Sequence, residues 1–447
     1  MADNRLIISV SGLRGIVGET LTLEVAQRYT AAFLSQLPPG PIVVTRDGRT
    51  TGAMLGDAVR AAVVACGRDL WDGKVAATPT TGVLVQELQA AGGIQISASH
   101  NPPQYNGLKL FDGAGRVIPA DAGERVLAAY QSGEARWSAY DEIGTATSID
   151  EPEAAHLQRV LAVVDVPAIQ RARFRVVLDA NHGSGSCLGR PLLEALGCEV
   201  VVLGGTADGR FEHVPEPTAQ NLQSVLECVP AERAAVGFCQ DPDADRLAII
   251  DEAGRYLGEE YTLAICASAV LGRSPGPVVT NCSTSRMTED LAQRYGVPFT
   301  RTRVGEANVV DAMLASGAVL GGEGNGGVIH PAVGLVRDSF VGMAIVLDAM
   351  ARRGLPVSAL ADELPRYAIH KTKIELGAKD PAAGWERLAS AFPEARCSRL
   401  DGLRLDWPDG AWLLVRASNT EPIVRAIAEA PTPSRAAELC AAAADRM

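Results

Sequence analysis

Three times along this 447-residue chain a short β-branched run breaks into a polar turn and then a helical pattern. Ile42-Val43-Val44-Thr45 leads into Arg46-Asp47-Gly48-Arg49, and Phe174-Arg175-Val176-Val177-Leu178 leads into Asp179-Ala180-Asn181-His182-Gly183-Ser184-Gly185. Pro277-Val278-Val279-Thr280 leads into Asn281-Cys282-Ser283-Thr284-Ser285. An apolar run of this length, bounded by a turn, is a strand covered on both faces. Strands that alternate with helices build α/β layers. The repeated grammar predicts three related α/β units, covering about residues 1–150, 151–256 and 257–367. The remainder, 368–447, reads differently. Trp412-Leu413-Leu414-Val415 and Ile423 to Ala430 form strands around a polar loop, and Pro433-Ser434-Arg435 opens an alanine-rich helix. That pattern predicts a smaller α+β domain, with Pro356 to Pro365 in the connection to it.

Hydrophobic residues make up 47% of the chain, enough for several large cores. The formal charge of -12 argues against a nucleic-acid partner and leaves room for local basic pockets that take small phosphates. The nine cysteines include no CxxC pair, so neither a zinc site nor a disulfide framework is expected. No basic-then-apolar leader and no uninterrupted apolar span are found, which predicts a cytoplasmic protein with no membrane partner. The oligomeric state is open between monomer and homodimer.

Chemistry concentrates in four segments. Ser97-Ala98-Ser99-His100-Asn101-Pro102 follows the apolar Gly93-Ile94-Gln95-Ile96 and precedes Lys109. Ser99 is the candidate nucleophile, with Ser97 a competing hydroxyl. A serine hydroxyl needs a base or a metal to react, and His100 and Lys109 stand near in sequence. Asn101-Pro102 shapes the turn, because a residue before proline avoids helical backbone. In Asp241-Pro242-Asp243-Ala244-Asp245-Arg246 the carboxylates alternate. A locally extended chain would aim all three one way, and their repulsion calls for a hard cation such as Mg2+. A calcium EF-hand is the competitor, since Glu252 falls at its twelfth position. It fails because Arg246 stands where the loop needs glycine.

Gly321-Gly322-Glu323-Gly324-Asn325-Gly326-Gly327 lets backbone approach a ligand closely, and Glu323 and Asn325 suit adjacent sugar hydroxyls. It has neither the lysine of a P-loop nor the spacing of a dinucleotide fingerprint. Arg416, Ser418, Asn419, Thr420 and Arg425 combine guanidinium, hydroxyl and amide donors, the composition of a phosphate cradle. Arg14, in Ser11-Gly12-Leu13-Arg14-Gly15, is another basic group for the site.

Taken together and in this order, the four segments resemble the phosphoserine, magnesium, sugar-binding and phosphate-binding loops of the α-D-phosphohexomutase family. The resemblance spans nearly the whole chain. It implies an α/β protein of three related mixed-sheet α/β domains plus a smaller C-terminal α+β domain, arranged around a central cleft with one loop from each. It further implies a phosphoserine at Ser99 and Mg2+ held by that residue with Asp241, Asp243 and Asp245. The implied activity is interconversion of hexose 6-phosphate and 1-phosphate through a sugar 1,6-bisphosphate, which in catalytic amount also serves as activator. Arg246 and Arg14 would add positive charge, Lys109 or His100 would move the proton, with Lys109 favoured, and the hexose phosphate is the small-molecule partner. The Glu-Gly-Asn-Gly-Gly form of the sugar loop departs from the Glu-x-Ser-Gly-His pattern of many bacterial members and looks closer to the Glu-x-Asn-Gly-Gly form shared by members acting on glucosamine phosphate and by members acting on mannose and glucose phosphates; glucosamine phosphate is the first choice and the other two are the alternatives. The competing functions are a metal-dependent sugar phosphatase and a non-catalytic sugar-phosphate-binding protein.

Overall fold

The computed structural model describes residues 6–9, 12–133, 136–375, 380–417 and 423–447. Each of the three β-branched runs is a strand: Ile42–Arg46, Arg175–Asp179 and Val278–Asn281, with the apolar residues buried. Each sits inside its own sheet and is flanked by parallel neighbours. Such neighbours need a crossover, and a helix supplies it.

The three sheets share one strand order. In the first, Tyr105–Asp112, Gly92–Ile96, Ile42–Arg46 and Leu70–Val75 lie side by side. In the second the order is Leu247–Asp251, Val236–Gln240, Arg175–Asp179 and Glu199–Leu203. In the third it is Gly327–Ile329, Leu320–Glu323, Val278–Asn281 and Phe299–Thr302. Each time the first strand of the four is antiparallel to its neighbour and the other three are parallel. The first sheet carries Ile7–Ser9 and Gly12–Ile16 on its antiparallel side and Ala146–Ser148 on the other. The fourth sheet is wholly antiparallel, in the order Ala368–Glu375, Ile423–Ala430, Trp412–Ala417, Leu403–Asp406 and Arg396–Ser398. Helices Pro381–Ala391 and Pro433–Arg446 belong to this last domain, and the expected connection contains the short helix Val357–Asp362.

The second and third units share a continuous apolar core that includes Phe238, Leu263 and Phe340. Its central element is helix Ser339–Arg353, in which every residue from Ser339 to Met350 is buried. Asp338 starts this helix by accepting from the amides of Phe340 and Val341. The other oxygen of Asp338 meets His156 Nε2 at 2.8 Å, and His156 Nδ1 meets Thr80 Oγ1 at 2.9 Å. One buried imidazole thereby ties three units together. The fourth domain keeps its own core around Leu413, Val424 and Leu439. It touches the third through Cys282, Trp412 and Leu414, with Val304 and Ile427 beside them. Among the described residues no helix is long and apolar enough to cross a membrane.

Candidate active site

The shared strand order places three connections at equivalent points. In each unit the chain leaves the third strand, makes a loop, and returns along the antiparallel strand. These loops are residues 97–104, 241–246 and 324–326, and they are the serine, aspartate and glycine segments of the sequence.

Ser99 is buried and holds φ at 48°, a left-handed conformation that costs a non-glycine residue about 1–3 kcal/mol. Its surroundings impose that conformation. Ser97 Oγ accepts from the Ser99 amide at 2.9 Å, and Ser97 in turn donates to Asp47 at 2.7 Å. Arg49 donates to the carbonyls of Ser99 at 2.6 Å, Asn101 at 2.5 Å, Pro102 at 2.8 Å and Tyr105 at 3.0 Å. Ser97 is therefore a support of the loop, and Ser99 is the hydroxyl that faces outward from it. Ser99 Oγ donates to Asp241 Oδ2 at 2.7 Å, and His100 Nδ1 lies 3.3 Å from Ser99 Oγ. Arg14 reaches the loop by donating to Asn101 Oδ1 at 3.2 Å.

The aspartate segment is a turn rather than the extended chain its alternation suggests. Ala244 has φ 57° and its amide bonds the Asp241 carbonyl at 2.9 Å. The carboxylates still converge: one oxygen from each of Asp241, Asp243 and Asp245 lies within 4.8 Å of the others. Thr78 and Lys109 donate to Asp243 Oδ2 at 2.6 and 2.9 Å. Lys109 also donates to Asp245 Oδ2 at 2.8 Å, and Arg337 donates to that oxygen at 2.5 Å. Asp243 Oδ1 and Asp245 Oδ1 remain buried with no hydrogen-bond partner. Burial, then the charges of Asp243 and Asp245, hold the Asp241 carboxyl well above the usual range. Two orphaned oxygens and a carboxyl that resists ionising are what a divalent cation would satisfy. Glu252 lies elsewhere and accepts from Ser358, so no EF-hand is formed.

Burial weakens the hold of the Lys109 ammonium on its proton, but the charges of Asp243, Asp245 and Glu306 outweigh it and raise the affinity. His100 is driven the other way, first by the Arg246 guanidinium and then by burial, and is held neutral. Arg246 lies beside the aspartates, its amide 3.1 Å from Asp241 Oδ1 and its Nε 3.9 Å from Asp245.

Glu323 is engaged on both oxygens. Asn281 and the Gly305 amide donate to Oε1 at 2.7 and 3.2 Å, while Arg337 and Asn325 donate to Oε2 at 2.8 and 3.4 Å. The loop reaches the aspartate segment at Gly326 (φ 83°), whose carbonyl accepts from the Leu247 amide at 3.1 Å. A side chain at Gly326 would strike the Leu247 carbonyl at 2.4 Å, so only glycine fits. In the fourth domain Arg416 donates Nε to Asp401 at 2.9 Å. Arg416 and Arg425 stand directly opposite on neighbouring strands. Ser418, Asn419 and Thr420 lie outside the described residues, as does Ser11.

Sequence reasoning did not single out several residues that organise the site. Arg337 binds Asp245, Glu323 and Glu306 together. Asp47 and Arg49, read only as a turn, carry the serine loop. Thr78, at the start of helix Thr78–Glu87, holds Asp243 by both its amide and its hydroxyl. The one signal was the position of Asp47 and Arg49 at the end of a predicted strand.

The sequence matches four family models in succession. They describe phosphoglucomutase/phosphomannomutase α/β/α domain I over residues 5–137, domain II over 154–254, domain III over 259–367 and the C-terminal domain over 373–446. A phosphoglucomutase/phosphomannomutase of Thermococcus kodakarensis is 38% identical over 436 residues, 96% of this chain and 95% of that one. A protein of Methanopyrus kandleri named probable phosphoglucosamine mutase is 34% identical, with 96% and 95% covered. Among solved structures, a phosphoglucomutase/phosphomannomutase family protein of Burkholderia thailandensis superposes with a TM-score of 0.85 at 28% identity, covering 97% of this chain and 95% of its own.

Proposed function

Because the chain belongs to the phosphoglucomutase/phosphomannomutase family of hexose phosphate mutases, we propose that it moves a phosphoryl group between the 6- and 1-positions of a hexose through Ser99. The observation that carries this reading is the 2.7 Å contact of Ser99 Oγ with Asp241, which sets a nucleophile loop against a carboxylate cage from another domain. The substrate is proposed to be glucosamine 6-phosphate, with mannose and glucose phosphates next.

Phosphorylated Ser99 donates its phosphoryl group to the free hydroxyl of the bound sugar phosphate. The resulting 1,6-bisphosphate turns over in the cleft, and its other phosphoryl group returns to Ser99. Asp241, Asp243 and Asp245 would hold Mg2+, which when bound offsets negative charge on the transferring group. Arg246 contributes fixed positive charge beside the same oxygens. When Ser99 is unphosphorylated it faces the bisphosphate, and transfer back to Ser99 then requires that the departing sugar oxygen be protonated. Lys109, kept charged by its carboxylate neighbours, suits that acid role. It becomes a base for the opposite transfer only when those carboxylates are otherwise engaged. His100 supports the serine. Arg416 and Arg425 grip the phosphate that does not react, and Glu323 and Asn325 order the loop that faces the sugar.

The test is a coupled assay of kcat/KM across the 1- and 6-phosphates of glucosamine, glucose and mannose, with intact-mass mapping of one phosphoryl group to Ser99. A mutase interconverts the isomers with little free phosphate and responds to catalytic sugar bisphosphate. Continuous release of inorganic phosphate would identify a phosphatase instead, and an unphosphorylated, inert protein would identify a binding module.

A further inference from the structure

We propose that Asp401 is the positioning residue that makes the phosphate grip of Arg416 depend on docking of the fourth domain against the sugar loop. The inference rests on the reading of Arg416 as a phosphate ligand. Asp401 Oδ2 accepts from Arg416 Nε at 2.9 Å within the fourth domain, and from the backbone amide of Val304 at 3.0 Å and Cys282 Sγ at 3.9 Å in the third. With Nε committed to Asp401, the guanidinium is oriented so that its Nη edge meets an anion.

Val304 begins a three-residue segment that reaches the fourth domain, the sugar loop and, through Arg337, the metal loop. Its amide goes to Asp401 in the fourth domain. The next amide, Gly305, donates to Glu323 of the sugar loop at 3.2 Å. The carboxylate of the next residue, Glu306, accepts from the Arg337 amide at 2.8 Å, and Arg337 in turn holds Asp245. Val304 cannot shift without disturbing the donors to Glu323 and the partner of Arg337. The position of Asp401 on Val304 therefore sets Arg416 in register with both the sugar loop and the metal loop.

Two further contacts make this a docked interface rather than a single bond. Arg404 donates to the Cys282 carbonyl at 2.5 Å while stacked 4.1 Å over Trp412, and Arg303 donates to the Leu400 carbonyl at 3.1 Å. Both would remain if Asp401 were shortened. The loss would then fall on the aim of Arg416, not on the fold of the domain.

The experiment is a double-mutant cycle of Asp401 and Arg416, read as calorimetric affinity for glucosamine 6-phosphate and as the split between KM and kcat. Asp401→Ala is expected to weaken affinity and raise KM about 10-fold, with kcat changed much less. Asp401→Asn, which keeps an acceptor oxygen, is expected to stay within about threefold of wild type. Adding Asp401→Ala to Arg416→Ala is expected to cost little more. Unchanged affinity in Asp401→Ala, or full multiplication of the two effects, would overturn the proposal. If Asp401→Ala fails to fold, Asp401→Ser serves, since its hydroxyl is too short to hold both donors and the same rise is expected. Binding is read without turnover, so a chain that binds the sugar phosphate but lacks mutase activity defeats the functional reading and leaves this test standing.

Discussion

Arg337 donates to Glu323 at 2.8 Å while its other terminal nitrogen donates to Asp245 at 2.5 Å, so one buried guanidinium joins the glycine loop to the aspartate loop. Three carboxylates, counting Glu306, depend on it for charge balance. Removing one partner of a buried ionic network strands the others, at about 3–5 kcal/mol. Arg337→Ala is expected to lose stability on that scale in denaturant unfolding. Arg337→Lys should recover only part, because a single ammonium cannot span the two loops. Equal stability of Arg337→Ala and wild type would show that the network carries no net charge strain.

Ser99→Ala removes the hydroxyl but leaves the contacts that shape its loop, since Arg49 and Ser97 bind backbone atoms of residue 99. The thermal midpoint should stay within a few degrees, and mutase turnover should fall by about 1,000-fold or more. Ser97→Ala should behave differently. It breaks the link from Asp47 to the Ser99 amide, so stability and turnover should fall together. A Ser99→Ala protein that keeps near-normal turnover would move the nucleophile elsewhere.

The buried oxygens Asp243 Oδ1 and Asp245 Oδ1 have no hydrogen-bond partner in the protein. A ligand that binds only the folded state raises its stability in proportion to the logarithm of concentration over Kd. Added Mg2+ should therefore raise the thermal midpoint of the wild-type chain, and chelation should remove turnover reversibly. Asp243→Asn should blunt both responses. It should also lower the midpoint without metal, because Lys109 and Thr78 lose their charged acceptor. A midpoint indifferent to Mg2+ in wild type would contradict the cage.

Much of the architecture was legible because it is local. The three β-branched runs are strands at their expected positions, and the serine and aspartate segments each lie within six consecutive residues. Partners chosen by tertiary contact were not legible. Arg337 lies 92 residues from Asp245, and Arg49 lies 50 from Ser99. Any surface arginine looks the same in sequence. The extended reading of Asp241 to Asp245 failed because alternation constrains side-chain direction only if the backbone is a strand, and Ala244 turns left-handed. The common strand order of the three sheets, which explains why the loops meet, depends on crossovers that no local pattern encodes.

Glu260 provides a test at high pH. It lies in the first turn of helix Glu259–Arg273, beneath Gly324, and accepts from the Ser285 amide at 2.8 Å. Burial pushes its carboxyl up to about 8. The charges of Glu429 and Glu259 add to this, while Lys371 and the Ser285 amide oppose it. In the unfolded chain the group titrates near 4.5. Between these values the folded state holds the extra proton, so its stability contribution is full below about 4.5 and is lost as pH rises through about 8. Glu260→Gln keeps an oxygen for the Ser285 amide and cannot ionise. Its thermal midpoint should therefore overtake that of wild type as pH increases across this window, while the two converge at the acid end. Midpoints that run parallel from pH 5 to pH 9 would mean that Glu260 is already ionised in the folded protein.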